Sequence, residues 1–235
     1  MAILKEHLKF YKEIFKIPNF FSEPLLTIGV QEIRGDNLPK EFDFKSFDEF
    51  LISKRIKNFD TLDFFDGKAT CKQDLNLPIP KNLKNKYNTL IDIGSLEHIF
   101  DTKQVLINYT QMVRVGGLFF LHTPINGYFK HGLYTFNPDM LIGALKQNGF
   151  KIIYKKYSTV KGTTIKDPLL GKNVILWLVA KKINNIDKFV IPQEEQYYSD
   201  EYWKADWKKR RRNQLNFLRK LEQRIKSIWY ACDLI

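Results

Sequence analysis

The chain has 235 residues, of which 44 % are apolar and 27 % charged, enough to build one sizeable α/β domain with an appendage. Cys71 and Cys232 form no metal-ligand cluster, the N-terminus has no apolar leader, and the longest apolar run, 174–180, falls far short of the ~20 residues that span a bilayer; a cytoplasmic protein without a transmembrane segment is expected. The net charge of +12 is concentrated, because residues 201–235 hold ten basic and four acidic residues and so half of the excess; the basic character belongs to a tail rather than to the whole fold.

Taken in order, residues 1–20 read as a short amphipathic helix, with Leu4, Leu8, Tyr11 and Phe15 at helical spacing. A buried strand follows over 25–30, a helix over 47–56, a second strand over 61–65 closed by Asp66-Gly67, and a shorter third strand over 69–75. Residues 88–94 form the clearest strand. Asp101 is placed to cap the next helix, with Gln104 as its capping-box partner, and Val105, Leu106, Tyr109, Met112 and Val113 make its apolar face. Gly116-Gly117 is expected to end that helix, and 118–121 is the fifth strand. Asn137-Pro138 starts another helix, with Asn as cap and Pro in its first turn, and Gly149 stops it. Strands over 151–157 and 174–180 close the domain, joined as a hairpin with a long loop. Residues 201–230 read as one long helix whose apolar positions are interrupted by Lys208-Lys209-Arg210-Arg211-Arg212.

Strands alternating with helices imply a mostly parallel sheet covered on both faces, and in such sheets ligands bind beyond the carboxyl ends of the strands. The positions to inspect are therefore those that follow each strand. Gly29 follows the first, where backbone N–H groups could meet an anionic group, or it is a plain strand-to-loop glycine. Asp63 ends the second and suits a ribose diol, since a carboxylate accepts from both hydroxyls; Asp60 and Asp66 are alternates. Asp74, after the third strand, could accept from an adenine amino group.

Three stretches then carry a resemblance: Leu90-Ile91-Asp92-Ile93-Gly94-Ser95-Leu96-Glu97-His98-Ile99-Phe100, Met112-Val113-Arg114-Val115-Gly116-Gly117, and Thr123-Pro124-Ile125-Asn126-Gly127 with the later His131-Gly132-Leu133-Tyr134-Thr135-Phe136-Asn137-Pro138. Together with the segments around Asp66 and Asp74, these resemble class I S-adenosylmethionine-dependent methyltransferases, in particular a subgroup from bacterial surface-polysaccharide gene clusters. The resemblance spans about residues 24–150 and departs from the family pattern at the glycine-rich first motif, of which Gly29 alone remains. It implies a Rossmann-like, mostly parallel seven-stranded sheet with a C-terminal antiparallel strand, in a domain over 1–190 followed by a basic helical extension over 191–235. It also implies that Gly29 and Gln31 pass near the methionine part of S-adenosylmethionine, that Asp63 holds the ribose, that Asp74 and the Leu75 N–H read the adenine, and that the backbone at Ile93-Gly94 accepts from the methionine ammonium.

Methyl transfer from a sulfonium needs alignment and removal of a proton from the acceptor. Histidine suits the second task near neutral pH. His131, in the longest loop over the site, is the candidate base, with His98 beside Glu97 as second candidate and His122 in strand context as a structural residue. Asn126 and Tyr134, in the same stretch, are the candidate acceptor-binding residues, and no metal is expected, because the three histidines show no ligand spacing. The expected reaction is O-methylation of a sugar or a small phosphate or phosphoramidate precursor of a surface polysaccharide, giving S-adenosylhomocysteine. A sugar or anionic small molecule, not nucleic acid, is the expected partner, and a homodimer through the C-terminal helix is left open. The competing reading is a catalytically inactive methyltransferase fold that uses its basic tail to contact nucleic acid or a membrane.

Overall fold

Along a strand, neighbouring side chains point to opposite faces, and this sequence fills both faces of its central strands with apolar groups. The computed structural model describes residues 2–166, 168, 172–193, 212 and 215–223. The strands are β1 (Ala2–Leu4), β2 (Leu25–Ile28), β3 (Glu32–Arg34), β4 (Phe59–Asp63), β5 (Cys71–Lys72), β6 (Tyr87–Ile93), β7 (Val113–Asn126), β8 (Phe150–Thr159), β9 (Thr164–Ile165) and β10 (Val174–Lys182). The helices are α1 (Leu8–Ile14), α2 (Phe47–Ser53), α3 (Thr102–Met112) and α4 (Pro138–Gln147).

The main sheet runs β5-β4-β2-β6-β7-β10-β8-β9. From β5 to β7 every pairing is parallel, β10 is antiparallel to both β7 and β8, and β9 is antiparallel to β8. The fold is thus a mostly parallel, Rossmann-like α/β sheet with β10 as the antiparallel strand, and the short β9 makes eight strands where seven were expected. On β7, Phe119 and Leu121 join a core with α3 and α4, while Leu118 and Phe120 join a second core with α1 and α2. On β10, Leu176 and Leu178 go to the first and Trp177 and Val179 to the second. One layer of helices therefore covers each face.

The caps sit where the sequence puts them. The Asp101 carboxylate accepts from the Gln104 N–H at 2.9 Å, and the Asn137 side chain accepts from the Asp139 N–H at 2.9 Å, with Pro138 opening α4. The Gln104 side chain does not return to the cap, because it donates to Asn108 Oδ1 instead (2.8 Å).

Three expectations are corrected. Residues 2–4 are not helical: they form β1, which pairs parallel with β3, placing Ile3 opposite Ile33. Gly116-Gly117 does not end α3, which stops at Met112; both glycines lie inside β7, where a Cβ on Gly117 would come within 2.8 Å of the Asn88 carbonyl. The third strand shrinks to Cys71–Lys72. Contacts divide the chain into residues 1–192 and 193–235. In the second unit, residues 212 and 215–223 are helical, and the rest of the expected helix over 201–230 lies outside the described residues. Among the described residues, no helix is long and apolar enough to cross a membrane.

Candidate active site

The chain leaves β2 toward β4 and β5 on one side, then returns to β6 on the other, so the order reverses at the β2–β6 boundary. Beyond the carboxyl ends of these strands, where such folds bind ligands, lie two adjoining cavities. The first, about 430 Å³, is lined by Gly29, Asp63, Phe65, Asp74, Leu75 and Ser95, among others. The second, about 540 Å³, is lined by Ile93, Gly94, Glu97, His122, Tyr128 and His131, among others. His98 belongs to both walls.

The first cavity is built from turns. At the end of β4, Asp63 Oδ1 accepts the N–H groups of Phe65 (2.8 Å) and Asp66 (3.1 Å), an Asx-type turn. Its Oδ2 has no partner among the described residues. The two alternates are otherwise engaged. Asp60 accepts from Lys86 Nζ (2.6 Å) and the Tyr87 hydroxyl (2.7 Å); partial burial pushes its pKa up, but those bonds outweigh burial and hold it below the usual value. Asp66 accepts from the Lys68 N–H at 2.9 Å. Asp74 Oδ1 takes the N–H and the side-chain amide of Asn76, at 2.9 and 2.8 Å. The fully buried Asn108 of α3 clamps the following loop, donating to the carbonyls of Leu75 (3.0 Å) and Leu77 (2.9 Å). The Leu75 N–H is left without a partner among the described residues. Gly29 adopts φ +76°, and its own N–H is spent on the Leu62 carbonyl at 2.7 Å. What it offers the cavity is the lack of a side chain. Gln31 is buried and lines neither cavity, its amide donating to the Ile28 carbonyl at 2.8 Å.

The wall between the cavities follows β6. Asp92 is fully buried and accepts from the Ser95 N–H (2.7 Å), the Leu96 N–H (3.2 Å) and the Tyr109 hydroxyl (2.8 Å). Burial pushes its pKa up to about 6, against the pull of those bonds. It closes the turn that presents Gly94, Glu97 and His98, a role the sequence reading missed. Glu97 is 1 % exposed and accepts from the Thr123 hydroxyl at 3.0 Å. Burial first, and then the Asp92 charge, push it up to about 8.

The loop after β7 docks on Glu97. The Leu133 and Tyr134 N–H groups donate to the Glu97 carbonyl at 2.7 and 3.2 Å. Gly132 permits this approach: it has φ +71°, and a Cβ there would lie 2.9 Å from the same carbonyl. His131 is thereby set beside His98, their rings edge to face with centroids 5.2 Å apart. Partial burial, then the neighbouring His131, hold His98 below the ordinary histidine value.

His122 is stacked on Trp177 at 4.3 Å, with Nδ1 3.4 Å from the Tyr11 hydroxyl, and burial holds its pKa well below the ordinary value. Its environment is that of the structural residue expected, although it also borders the second cavity. The sequence reading overlooked His7, whose Nε2 lies 2.8 Å from the Val160 carbonyl. With His7 included, all four histidines of the chain line the second cavity. No local pattern marks His7, because β1–β3 pairing brings it there. Asn126 and Tyr134 line neither cavity. The Asn126 amide reaches the Pro168 carbonyl at 3.4 Å, and the Tyr134 hydroxyl donates to the Phe100 carbonyl at 3.0 Å.

No protein-family model matches the chain, and no curated protein matches it. Solved structures do. An S-adenosylmethionine-dependent methyltransferase from Mesorhizobium loti is 12 % identical, with a TM-score of 0.45 over 67 % of this chain and 89 % of that one. The 1,6-didemethyltoxoflavin-N1-methyltransferase of Burkholderia thailandensis, solved with 1,6-didemethyltoxoflavin and S-adenosylhomocysteine, is 12 % identical, with a TM-score of 0.42 over 68 % of this chain and 71 % of that one. A 16S rRNA adenine methyltransferase from Catenulisporales acidiphilia is 11 % identical, with a TM-score of 0.43 over 69 % and 88 %. Likeness at these values assigns neither a family nor an activity.

Proposed function

We propose that the chain is an S-adenosylmethionine-dependent O-methyltransferase, with the adenosine half of the cofactor in the first cavity and the acceptor in the second. The observation that carries this reading is the convergence of Gly29, Asp63, Asp74 and Leu75 on one cavity that shares the His98 wall with another. The free groups fit the cofactor. Asp63 Oδ2 can accept from a ribose diol, and the Leu75 N–H can donate to a ring nitrogen between the apolar walls of Ile28, Leu62 and Ile99. Ile93 and Gly94 would carry the methionine end toward the second cavity. Gln31, enclosed beneath β2, would support that end without touching it.

When bound, S-adenosylmethionine supplies a methyl group whose bond to sulfur breaks, the electron pair staying on sulfur, as the acceptor oxygen bonds to carbon. The protein's part is to align the acceptor oxygen and to let its proton leave at the His98–His131 wall. Asn126 and Tyr134 remain outside this proposal.

The acceptor we propose is a sugar or a small phosphate or phosphoramidate, a precursor of a bacterial surface polysaccharide methylated in the cytoplasm; its support is the sequence resemblance. We further propose that the extension over 191–235 takes no part in cofactor binding, because every residue assigned here precedes it. Calorimetry with S-adenosylhomocysteine tests the reading first, followed by a mass-detected methyl-transfer screen of nucleotide sugars and nucleotide-linked phosphoramidates. Micromolar binding and a product heavier by one methylene group are expected. A folded protein that ignores S-adenosylhomocysteine yet binds nucleic acid with steep salt dependence would instead be an inactive fold with a basic tail.

A further inference from the structure

We infer that Glu97, His98 and His131 form a binding site for one divalent transition-metal cation on the wall of the second cavity. The inference deepens the proposed methyl transfer: the cation's role in the reaction rests on that reading, while the binding site itself does not.

Each of the three residues offers one ligand atom, and these atoms all lie within 4.8 Å of one another. A cation with ligands at ~2.0–2.2 Å draws such atoms together by small side-chain rotations, which the two exposed imidazoles allow. The juxtaposition is built. The Leu133 and Tyr134 N–H groups staple the loop to the Glu97 carbonyl, and Gly132 makes room for that contact. These bonds fix His131 next to the Glu97-His98 pair.

The carboxylate is also oriented. The Thr123 hydroxyl donates to Glu97 Oε2 at 3.0 Å. Orientation of a ligating group by a second hydrogen bond is the usual support of a metal site. Glu97 is moreover buried, with no cationic side chain in ion-pair range among the described residues. Two imidazoles and one carboxylate suit a first-row transition cation and leave further coordination positions open.

Those positions border the second cavity. An acceptor hydroxyl bound there would lose its proton to solvent more readily, because a cation stabilises the alkoxide. The oxygen then takes the methyl group, the carbon–sulfur bond breaks and its electron pair remains on sulfur. His131 acts in this scheme as a ligand rather than as the base.

The test uses the full chain, stripped with chelator and titrated with Co(II) and Mn(II) by calorimetry and, for Co(II), visible absorption. One cation per chain is expected. His98→Ala and His131→Ala, both at exposed positions that leave the core intact, should each weaken binding at least about 10-fold, and Thr123→Val should weaken it about 10–100-fold through Glu97. Absence of stoichiometric binding to the folded wild-type protein overturns the inference, as does wild-type affinity in both histidine variants. S-Adenosylhomocysteine binding is measured on the same samples. Its loss with cation binding intact would sink the methyltransferase reading and leave the metal site standing, and the reverse would sink the site alone.

Discussion

Asp63→Asn isolates the proposed ribose contact. Asp63 has two jobs in the structure: Oδ1 closes the turn onto the Phe65 and Asp66 N–H groups, while Oδ2 has no protein partner among the described residues. Alanine would remove both functions and blur the result. Asparagine keeps a carbonyl oxygen for the turn and replaces the free carboxylate oxygen with an amide that can accept from neither ribose hydroxyl. A hydrogen bond to a charged group contributes about 1.5–3 kcal/mol, and the half-buried position of Asp63 argues for the lower part of that range. A loss of about 1.5–2 kcal/mol corresponds to a ~10–30-fold weaker dissociation constant. Calorimetric titration with S-adenosylhomocysteine measures it, with thermal melts to confirm that the turn survives. An affinity within twofold of wild type, in a variant that melts normally, would remove Asp63 from the cofactor site. Asp60 and Asp66 could not replace it without giving up their present partners.

Two further predictions follow from the wall between the cavities. Burial raises the Asp92 pKa from 3.8 to about 6, so the folded protein holds that proton more tightly than the unfolded chain. Its contribution to stability is therefore greatest below pH ~4, falls as pH rises to ~6, and is flat above, a change of about 3 kcal/mol at most. Denaturant midpoints between pH 4 and 7 should show a shallower fall in Asp92→Asn than in wild type, and identical slopes would refute the assignment. Gly132→Ala forces a side chain into φ +71° and within 2.9 Å of the Glu97 carbonyl, whereas a Cβ on Gly67 meets nothing within 4 Å. The first should cost about 1–3 kcal/mol and the second stay within about 0.5 kcal/mol by thermal unfolding; equal melting temperatures would mean that the loop does not rest on Glu97.

What the sequence determined by itself is local. The buried runs of β6 and β10 announce strands, and the caps at Asp101 and Asn137 announce helix starts, because a cap bonds to an N–H two or three residues away and needs no distant partner. The same locality made Asp63, Asp74 and His98 legible as residues that follow strands. Tertiary structure decided the rest. Residues 2–4 carry a helical pattern, yet pairing with β3 makes them a strand and carries His7 into the second cavity. Gly116-Gly117 looks like a helix stop, but the backbone of β6 passes too close to Gly117 for a side chain, so the pair belongs to β7. Neither the bond from the loop of His131 to the Glu97 carbonyl nor the use of Asp92 to close its turn has a local signature. Each depends on groups that meet because the sheet brings the ends of β6 and β7 side by side, and the free energy of such contacts exceeds the small differences in local preference that a sequence pattern reflects.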